Sequence, residues 1–166
     1  MTLVELNGAA RKTAVAKFEA CLGCLSWAEN MADARPFTSI IDVLKVAKIQ
    51  WQLATEVEAL EAFTAHPKIG DLDALRNKYA TTANSEQGQI SAAEEATLIA
   101  LRDDNLIYLA KFGFIFIVCA TGKSAAEMLE LLQTRLLNDR ATELENGTQE
   151  QWLITELRLN RLFTGS

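Results

Sequence analysis

The stretch "SAAEMLELLQTRLL", residues 124–137, sets the pattern from which the fold of this chain is predicted. Ser124 and Glu127 have the spacing of a capping box: the hydroxyl accepts a hydrogen bond from the third helical N–H, and the carboxylate reaches back to the capping residue. The apolar residues that follow at helical spacing are Met128, Leu131, Leu132 and Leu136. The stretch therefore predicts a helix that begins at a defined residue and buries one face.

Two further capping boxes are present, at Thr55–Glu58 and Ser91–Glu94. Each precedes apolar residues that recur with the period of a helix. Those residues are Val57, Leu60 and Phe63 after the first box, and Leu98, Leu101, Leu109 and Phe112 after the second. Both boxes predict helices of the same kind as the one that begins at Ser124.

Three more helices are predicted from weaker start signals and apolar periodicity. One is capped by Asn7, another by Thr38 or Ser39, and the last covers residues 140–163. In the same order, their predicted buried residues are Ala14, Phe18 and Cys21; Ile40, Leu44, Ala47 and Trp51; and Leu144, Trp152, Ile154, Leu157 and Leu162. Gly147 is expected to weaken the last helix by about 1 kcal/mol relative to alanine.

The whole pattern predicts an all-α fold of about six main helices, with short helices near Ser26–Ala34, Asp71–Tyr79 and Asn84–Gln89. No run of alternating apolar and polar residues supports a sheet. The one strand-like piece, "FIFIVCA" at residues 114–120, has no partner strand. We expect it to be a buried extended segment or a helix start imposed by packing. Residues 1–166 fit one domain and are predicted to form a single helical bundle.

Charge and composition argue against several classes of protein. The 22 acidic and 16 basic residues give a net charge of −6, which disfavours nucleic-acid binding but permits a small anionic ligand. No apolar run approaches the roughly 18–20 residues of a membrane span. The N-terminus lacks the features of a secretory signal, and the C-terminal "FTGS" is no retention or peroxisomal address. A cytoplasmic protein is therefore expected.

The three cysteines cannot form a complete disulfide framework, because their number is odd. Cys21 and Cys24 form "CLGC", which raises redox or metal chemistry. A zinc site would need a second pair of ligands, for which the chain offers only Cys119 and His66. A redox pair would follow a strand and open a helix, whereas Cys21 closes a helical pattern. We therefore expect buried or half-buried thiols and no metal.

His66 is the only histidine, and it stands directly before Pro67, one of two prolines. Proline disfavours the helical conformation at the residue before it, so the helix that carries residues 59–65 should end there. The dipole at the C-terminus of a helix favours the protonated ring, which predicts a raised pKa and a ring able to act as a general acid. Alternatively, His66 caps carbonyl groups and does nothing else.

Three other segments permit both a functional and a structural interpretation. In "ATTANSEQGQ", residues 80–89, Glu86 either contacts a ligand or only stabilises the first turn of a helix capped by Asn84. The segment "FIFIVCATGK", residues 114–123, either brings backbone amides to a ligand or is plain core. Arg158 either forms a buried ion pair or binds a ligand carboxylate.

Five segments together resemble the ureidoimidazoline decarboxylase family. They are "AHPKIGD" at residues 65–71, "SEQ" at 85–87, "DNLIYLAKFGFIFIVCATGK" at 104–123, "RLLNDRATE" at 135–143 and "LRL" at 157–159. No segment is decisive alone, but all five in this order are a specific signal. The resemblance implies an all-α enzyme of urate breakdown, typically a homodimer, that needs no metal or organic cofactor. Such an enzyme decarboxylates 2-oxo-4-hydroxy-4-carboxy-5-ureidoimidazoline (OHCU) to (S)-allantoin.

The resemblance also implies which residues form the site for this small, anionic, urate-derived substrate. His66 would be the catalytic proton donor, and Glu86, the acidic residue of the substrate-binding loop, would be the second catalytic residue. The implied substrate contacts are Pro67, Ala83, Asn84, Ser85, Glu86, Gln87, Phe116, Ile117, Val118, Cys119, Ala120 and Arg158. One position departs from the family, whose loop commonly reads Ser-x-x-Glu-Gln, because Ala83 lies three residues before Glu86. Either that hydroxyl is dispensable, or Ser85 or Asn84 replaces it, or the preferred substrate differs.

Three other functions stay open at this point. The same fold could act on a related ureido compound, in view of Ala83. A non-enzymatic helical binding module would need only the capped helices and the acidic surface. A redox or zinc protein built on Cys21 and Cys24 is the least favoured of the three.

Overall fold

The structure is a computed structural model that describes residues 1–68, 71–79 and 92–164. Within these ranges the chain forms nine helices and no strand, which confirms the all-α prediction. The helices are α1 (Leu3–Gly8), α2 (Arg11–Cys21), α3 (Leu25–Asp33), α4 (Ile40–Gln52), α5 (Glu56–Thr64), α6 (Leu72–Tyr79), α7 (Ala92–Phe112), α8 (Ala125–Arg135) and α9 (Arg140–Thr164). None of these described helices is both long and apolar enough to cross a membrane.

Local capping explains where several helices begin. Thr55 precedes α5 and Ser124 precedes α8, and each makes both hydrogen bonds of a capping box, as predicted. Ser39, one of the two caps predicted for α4, accepts the capping hydrogen bond from the Asp42 N–H. Thr2 forms a further capping box before α1, which apolar periodicity alone does not indicate. The box predicted at Ser91 and the short helix predicted at residues 84–89 lie outside the described residues.

The prediction that Asn7 caps α2 is wrong. Asn7 lies inside α1, and its side-chain amide exchanges two hydrogen bonds with the backbone of Phe37, at 2.8 and 2.9 Å. Helix α2 begins after Ala10, which makes no side-chain capping bond. Because Phe37 occupies both the oxygen and the nitrogen of the amide, the Asn7 side chain is not available to cap the next helix.

The chain divides into two compact units, each with its own buried aromatic side chains. Unit 1 comprises Met1–His66, Ile117–Cys119 and Gly147–Ser166. Unit 2 comprises Pro67–Phe116 and Ala120–Asn146. The expectation of a single domain over residues 1–166 stays a prediction.

Several predicted core faces are correct only in part. The predicted residues that are buried are Ala47, Trp51, Phe63, Leu98, Leu101, Phe112, Met128 and Leu132. The predicted core residues that are exposed are Ile40, Val57 and Leu131, and those that are half-buried are Leu44, Leu60, Leu109 and Leu136. Helix α4 buries Val43 instead, and α5 buries Ala59 and Ala62 beside Phe63. Small alanines take inward positions that a search for large apolar residues assigns to their neighbours. By contrast, the predicted face of α2 (Ala14, Phe18, Cys21) is buried as expected.

Gly147 has a packing role in unit 1 that its low helix propensity does not suggest. A Cβ atom at this position would lie 2.9 and 3.1 Å from ring atoms of Phe63, a fully buried side chain. Helix α9 can therefore approach the Phe63 ring only because residue 147 has no side chain.

The buried face of α9 is more polar than predicted. Trp152 is buried as expected, but the other predicted residues, Leu144, Ile154, Leu157 and Leu162, are half-buried or exposed. The fully buried side chains of α9 are instead Glu143, near its start, and then Gln151, Thr155 and Leu159. The last three continue a four-residue spacing from Gly147, and this spacing defines one stripe of a helix. The apolar pattern thus identifies the flanks of the buried stripe and misses its centre.

Unit 2 is organised around Tyr108, which is fully buried. Its ring packs against three others at centroid distances of 4.5, 6.1 and 5.4 Å, those of Phe112, Phe114 and Phe116. Its hydroxyl donates to Glu143 Oε1 at 2.6 Å, and Arg135 Nε donates to the same oxygen at 2.6 Å. The buried carboxylate of Glu143 is therefore both hydrogen-bonded and paired with a charge, as a buried ion requires.

Residues 114–120 form neither helix nor strand, so the alternative of a helix start imposed by packing is wrong. Phe116 and Ile117 are buried within this segment. Gly113 and Gly122 flank the segment with φ of +80° and +76°, a left-handed conformation that favours glycine. Gly113 thereby ends α7 and lets the chain leave the helix sharply.

Candidate functional site

His66 stands just beyond the C-terminus of α5, as its position before Pro67 predicts. Helix α5 ends at Thr64, Ala65 is its C-cap, and the His66 N–H donates to the carbonyl oxygen of Phe63 at 3.2 Å. The residue is half-buried. The ring is therefore held by the end of a helix and partly withdrawn from water.

The imidazole of His66 contacts the buried polar stripe of α9. His66 Nε2 lies 2.6 Å from Gln151 Oε1. Gln151 Nε2 donates to Thr155 Oγ1 at 3.2 Å, and the Thr155 hydroxyl donates to the backbone oxygen of Gln151 at 2.8 Å. Both α9 side chains are fully buried. The histidine ring is thus bonded to a closed network of polar groups inside unit 1.

The predicted direction of the His66 pKa shift is wrong. The pKa lies below its ordinary value of 6.5 because the ring is buried; the bond to Gln151 opposes this shift, and the charge of Arg158 adds to it. Burial and a nearby cation both disfavour the imidazolium, and together they outweigh the expected effect of the helix end. At neutral pH the resting ring is therefore neutral.

Arg158 is half-buried on α9, and its Nη1 donates to the carbonyl oxygen of Cys21 at 3.3 Å. Among the described residues, no carboxylate lies within ion-pair distance of its guanidinium. The buried ion pair that the sequence allows is therefore not found in this part of the chain. The other interpretation, that Arg158 binds a ligand carboxylate, stays a prediction.

The "CLGC" stretch packs against the helix end that carries the histidine. A Cβ atom at Gly23 would overlap the Cβ atom of Ala65, the residue before His66. Burial raises the pKa of the Cys21 thiol to about 11, against the opposing charges of Arg158 and Lys17, so Cys21 stays protonated at neutral pH. No cluster of potential metal ligands is found within residues 1–68, 71–79 and 92–164. The close packing of Gly23 on Ala65 therefore accounts for this stretch better than redox or metal chemistry of its cysteines does.

The segment Ile117–Cys119 is tied to α9 as well. The Cys119 N–H donates to Glu150 Oε2 at 2.7 Å. This backbone group, one of the predicted substrate contacts, is therefore already occupied by a carboxylate. Val118 is half-buried, and its backbone N–H donates to no acceptor in the part of the chain that the structure describes.

The structure brings some of the predicted site residues together in unit 1. There, α9 contacts His66 through Gln151 and Cys119 through Glu150, and it carries Arg158 two turns further along. The predicted contacts that belong to unit 2 are Pro67, Phe116 and Ala120. The predicted loop residues Ala83, Asn84, Ser85, Glu86 and Gln87 lie outside the described residues.

Two of the unit 2 residues share a small hollow. Pro67 and Phe116 line a hollow of about 100 Å³, together with Lys68, Asn105, Leu106, Leu109 and Ile115. Most of its wall is apolar, and Lys68 supplies a cationic group. Ala120 is half-buried and does not line this hollow.

Sequence reasoning misses the two residues of α9 that connect the site, Glu150 and Gln151. They lie eight and seven residues before Arg158. Seven residues are close to two helical turns, so Gln151 and Arg158 lie on the same side of α9. A polar residue two turns from a candidate arginine is the signal that could have identified the partner of His66.

Known proteins that are similar to this chain have names that refer to OHCU decarboxylation or to uric acid degradation. A family model described as OHCU decarboxylase matches residues 7–160. The uric acid degradation bifunctional protein TTL of Arabidopsis thaliana is 36% identical over 151 residues, which are 89% of this chain and 47% of that protein. The 2-oxo-4-hydroxy-4-carboxy-5-ureidoimidazoline decarboxylase of Xenopus laevis is 36% identical over 103 residues, 59% of this chain and 57% of that protein. The chain thus spans about half the length of these relatives.

A solved structure matches the fold over more of its length. A crystal structure of OHCU decarboxylase in the presence of (S)-allantoin superposes with a TM-score of 0.74 at 32% identity. The match covers 94% of this chain and 99% of that chain. The helical architecture is therefore shared over nearly the whole of both chains.

Proposed function

Because the chain belongs to the OHCU decarboxylase family, we propose that it converts OHCU to (S)-allantoin with stereospecific protonation. The observation that carries the proposal is the family match over residues 7–160. Two features of unit 1 support it. The only histidine is half-buried there, and Arg158 lies close enough for its charge to lower the pKa of that histidine.

The proposed reaction requires the protein to position the substrate, and it does not require a cofactor to accept the electron pair left by CO2. Loss of CO2 leaves an electron pair on a carbon bonded to a ring nitrogen and adjacent to a C=N or carbonyl system. The substrate can therefore hold the developing charge itself, as an enolate-like anion, so we propose that no organic cofactor takes part. The protein has to bind the anionic ring, orient the scissile bond and protonate one face.

Arg158 is the proposed anion-binding group. A guanidinium presents a planar fork of donors that suits a carboxylate or a ureido oxygen. In the described part of the chain its one hydrogen bond is to a neutral carbonyl, that of Cys21. A carboxylate that arrives at a half-buried cation without a counter-ion gains more than it would in water. This favours Arg158 as the residue that determines substrate affinity.

His66 is the proposed proton donor, although its resting ring is neutral. The two causes that lower its pKa are burial and the positive charge of Arg158. A bound dianionic substrate would neutralise the second cause and place negative charge near the ring, and both effects favour the imidazolium. Substrate binding is therefore expected to raise the pKa of His66, so that the ring becomes protonated and can donate that proton to the substrate.

The remaining assignments rest on the family resemblance. We propose that Glu86 hydrogen-bonds the hydroxyl or ring N–H of the substrate, with the rest of the loop 83–87 around it. Pro67 and the segment 116–120 are proposed as further substrate contacts. Since the Cys119 N–H is occupied by Glu150, the N–H of Val118 is the better candidate for a bond to the substrate.

We also propose that the protein is cytoplasmic, acts as a homodimer and folds as one domain over residues 1–166. The net charge of −6 fits a small partner that is bound by a few cations, and it disfavours nucleic acid. Size-exclusion chromatography with light scattering tests the dimer. A monomeric mass at micromolar concentration would contradict it.

The central test is His66→Asn, assayed with freshly generated OHCU and followed by circular dichroism of the chiral product. We expect kcat to fall by about a hundredfold or more, the usual contribution of a general acid. Any allantoin formed without the enzyme should be racemic, because a planar anion is protonated on both faces. Thermal unfolding of the variant, monitored at 222 nm in the far ultraviolet, serves as the control for folding.

Unimpaired, stereospecific turnover by a folded His66→Asn protein would contradict the assignment. Turnover of a related ureido acid in preference to OHCU would favour the second candidate function, which the alanine at position 83 raises. A wild-type protein that turns over neither compound would leave the helical binding module as the better interpretation.

A further inference from the structure

We propose that Gln151 is a positioning residue that holds the proton of His66 on Nε2, so that Nδ1 is the atom that delivers a proton to the substrate. The destination of that proton rests on the proposed function. The tautomer itself is a property of the resting protein and can be tested without any substrate.

The orientation of the Gln151 amide follows from the network around it. The Thr155 hydroxyl has one proton, and it donates this proton to the backbone oxygen of Gln151 at 2.8 Å. Its oxygen is then left to accept, so the amide atom 3.2 Å away is the nitrogen of Gln151. The reverse orientation would require the hydroxyl to donate to the side chain and would lose the bond to the main chain. The arrangement with more hydrogen bonds places Oε1 toward His66.

The tautomer of His66 follows in turn. An amide oxygen can only accept, so a hydrogen bond of 2.6 Å between Gln151 Oε1 and His66 Nε2 requires a proton on Nε2. A neutral imidazole has a single N–H, which leaves a lone pair on Nδ1. Among the residues that the structure describes, Nδ1 has no hydrogen-bond partner. Nδ1 is therefore the nitrogen that can take up a proton and pass it on.

The burial and the neutrality of the partner both suit this role. Gln151 and Thr155 are each 0% exposed, so water does not compete for their hydrogen bonds. A buried carboxylate in the place of Gln151 would stabilise the imidazolium and hold the proton on the ring. A neutral amide fixes the ring and its tautomer without that effect, so the proton on Nδ1 stays transferable. Arg158 is a charged group that does act on the ring, and its positive charge favours release of the proton from the imidazolium.

The proposed step is balanced in atoms and electrons. The bond between the substrate carbon and its carboxyl group breaks, CO2 leaves, and the electron pair stays on the substrate carbon. That pair forms a C–H bond with the proton of Nδ1, the N–H bond breaks, and the neutral Nε2–H ring is restored. Water supplies the next proton, so one proton is consumed for each CO2 released.

The tautomer can be read directly, because His66 is the only histidine in the chain. Protein labelled with ¹⁵N-histidine gives one pair of ring-nitrogen signals, and their couplings to the ring protons identify the protonated nitrogen. We expect the Nε2–H tautomer in the wild-type protein at a pH where the ring is neutral. A ring protonated on Nδ1 would overturn the proposal, whether or not the protein decarboxylates OHCU.

Two variants test the role of Gln151 in turnover. Gln151→Leu keeps the volume but removes the acceptor, so both tautomers should appear. Its kcat should fall by about tenfold to hundredfold, as when the hydrogen-bond partner of a functional histidine is removed. Its KM should change little, because the Gln151 side chain is fully buried and is not among the proposed substrate contacts. Gln151→Glu keeps an oxygen acceptor, so it should retain the Nε2–H tautomer. Its carboxylate should also stabilise the imidazolium and move the alkaline limb of the kcat profile, where the general acid loses its proton, to higher pH.

Gln52→Leu is the matched control, since Gln52 is an exposed glutamine at the end of α4, also in unit 1. This variant should leave the tautomer and kcat unchanged. A folded Gln151→Leu protein that keeps both the Nε2–H tautomer and wild-type kcat would show that Gln151 does not position His66. If the wild-type protein lacks OHCU turnover altogether, the proposed function fails, and the labelled ring still decides the tautomer.

Discussion

Replacing Gly23 with alanine would displace His66 without changing any residue of the site. A Cβ atom at position 23 would come far closer to the Cβ atom of Ala65 than the 3.0 Å below which real Cβ contacts are essentially never found. Both atoms are attached directly to backbone, so neither can rotate away. The end of α5 would have to move by about 1 Å before the two atoms are in ordinary van der Waals contact.

The size of the effect follows from this displacement. Overpacking of a close contact costs about 1–3 kcal/mol, so the free energy of unfolding of Gly23→Ala should fall by that amount. A shift of about 1 Å in a catalytic group can lower the rate by about a hundredfold. His66 follows Ala65 directly. We therefore expect the kcat of the folded variant to fall, in addition to any activity lost because part of the protein is unfolded.

Urea unfolding measures the loss of stability, and circular dichroism of (S)-allantoin formation measures kcat. The rescue variant is Gly23→Ala combined with Ala65→Gly, which removes the opposing Cβ atom and should recover most of both losses. Gly8→Ala is the control, because no atom lies within 4 Å of the added Cβ. A Gly23→Ala protein with wild-type stability and kcat, or a double variant no better than the single one, would refute the reasoning.

Three further predictions concern packing, pH and substrate binding. Gly147→Ala gains about 1 kcal/mol of helix propensity but overpacks the Phe63 ring by about 1–3 kcal/mol, so urea unfolding should show a net loss of up to about 2 kcal/mol. Because folding lowers the pKa of His66, the unfolded chain binds the extra proton first as the pH falls below about 6.5. Stability should then decrease with falling pH down to the folded pKa, and His66→Asn should show a smaller decrease in unfolding experiments between about pH 5 and pH 7. Arg158→Lys should raise KM by about tenfold to hundredfold, since an ammonium lacks the planar fork, and an unchanged KM would make Arg158 structural.

The starts of the helices can be predicted from sequence because capping is local. Ser124 and Thr55 find their partners three residues away, and the structure has both capping boxes. Asn7 marks the limit of such reasoning. Its side chain has the chemistry of a helix cap, but its partner is the backbone of Phe37, thirty residues further along. Nothing in the neighbourhood of Asn7 in the sequence indicates that competition.

The position of His66 at the end of α5 can be predicted from sequence because it depends on a neighbouring residue. The direction of its pKa shift cannot be predicted in this way. Pro67 acts on the residue before it, so the end of α5 can be placed from sequence. The pKa of His66 depends on burial and on the charge of Arg158, ninety-two residues away. Both are consequences of tertiary packing. The helix dipole is the one contribution visible in the sequence, and it is outweighed.

The polar stripe of α9 is better explained by the site than by stability. A satisfied buried amide and hydroxyl add little net free energy, and apolar residues of similar shape at 151 and 155 would stabilise at least as well. Apolar periodicity treats such a stripe as solvent-facing, which is why it selects Leu157 and Ile154 instead. The buried position of Gln151 and Thr155 makes sense once the contact with His66 is included. Buried polar side chains on the same face of a helix as a candidate arginine therefore indicate a functional site. A search for apolar residues alone cannot find such a site.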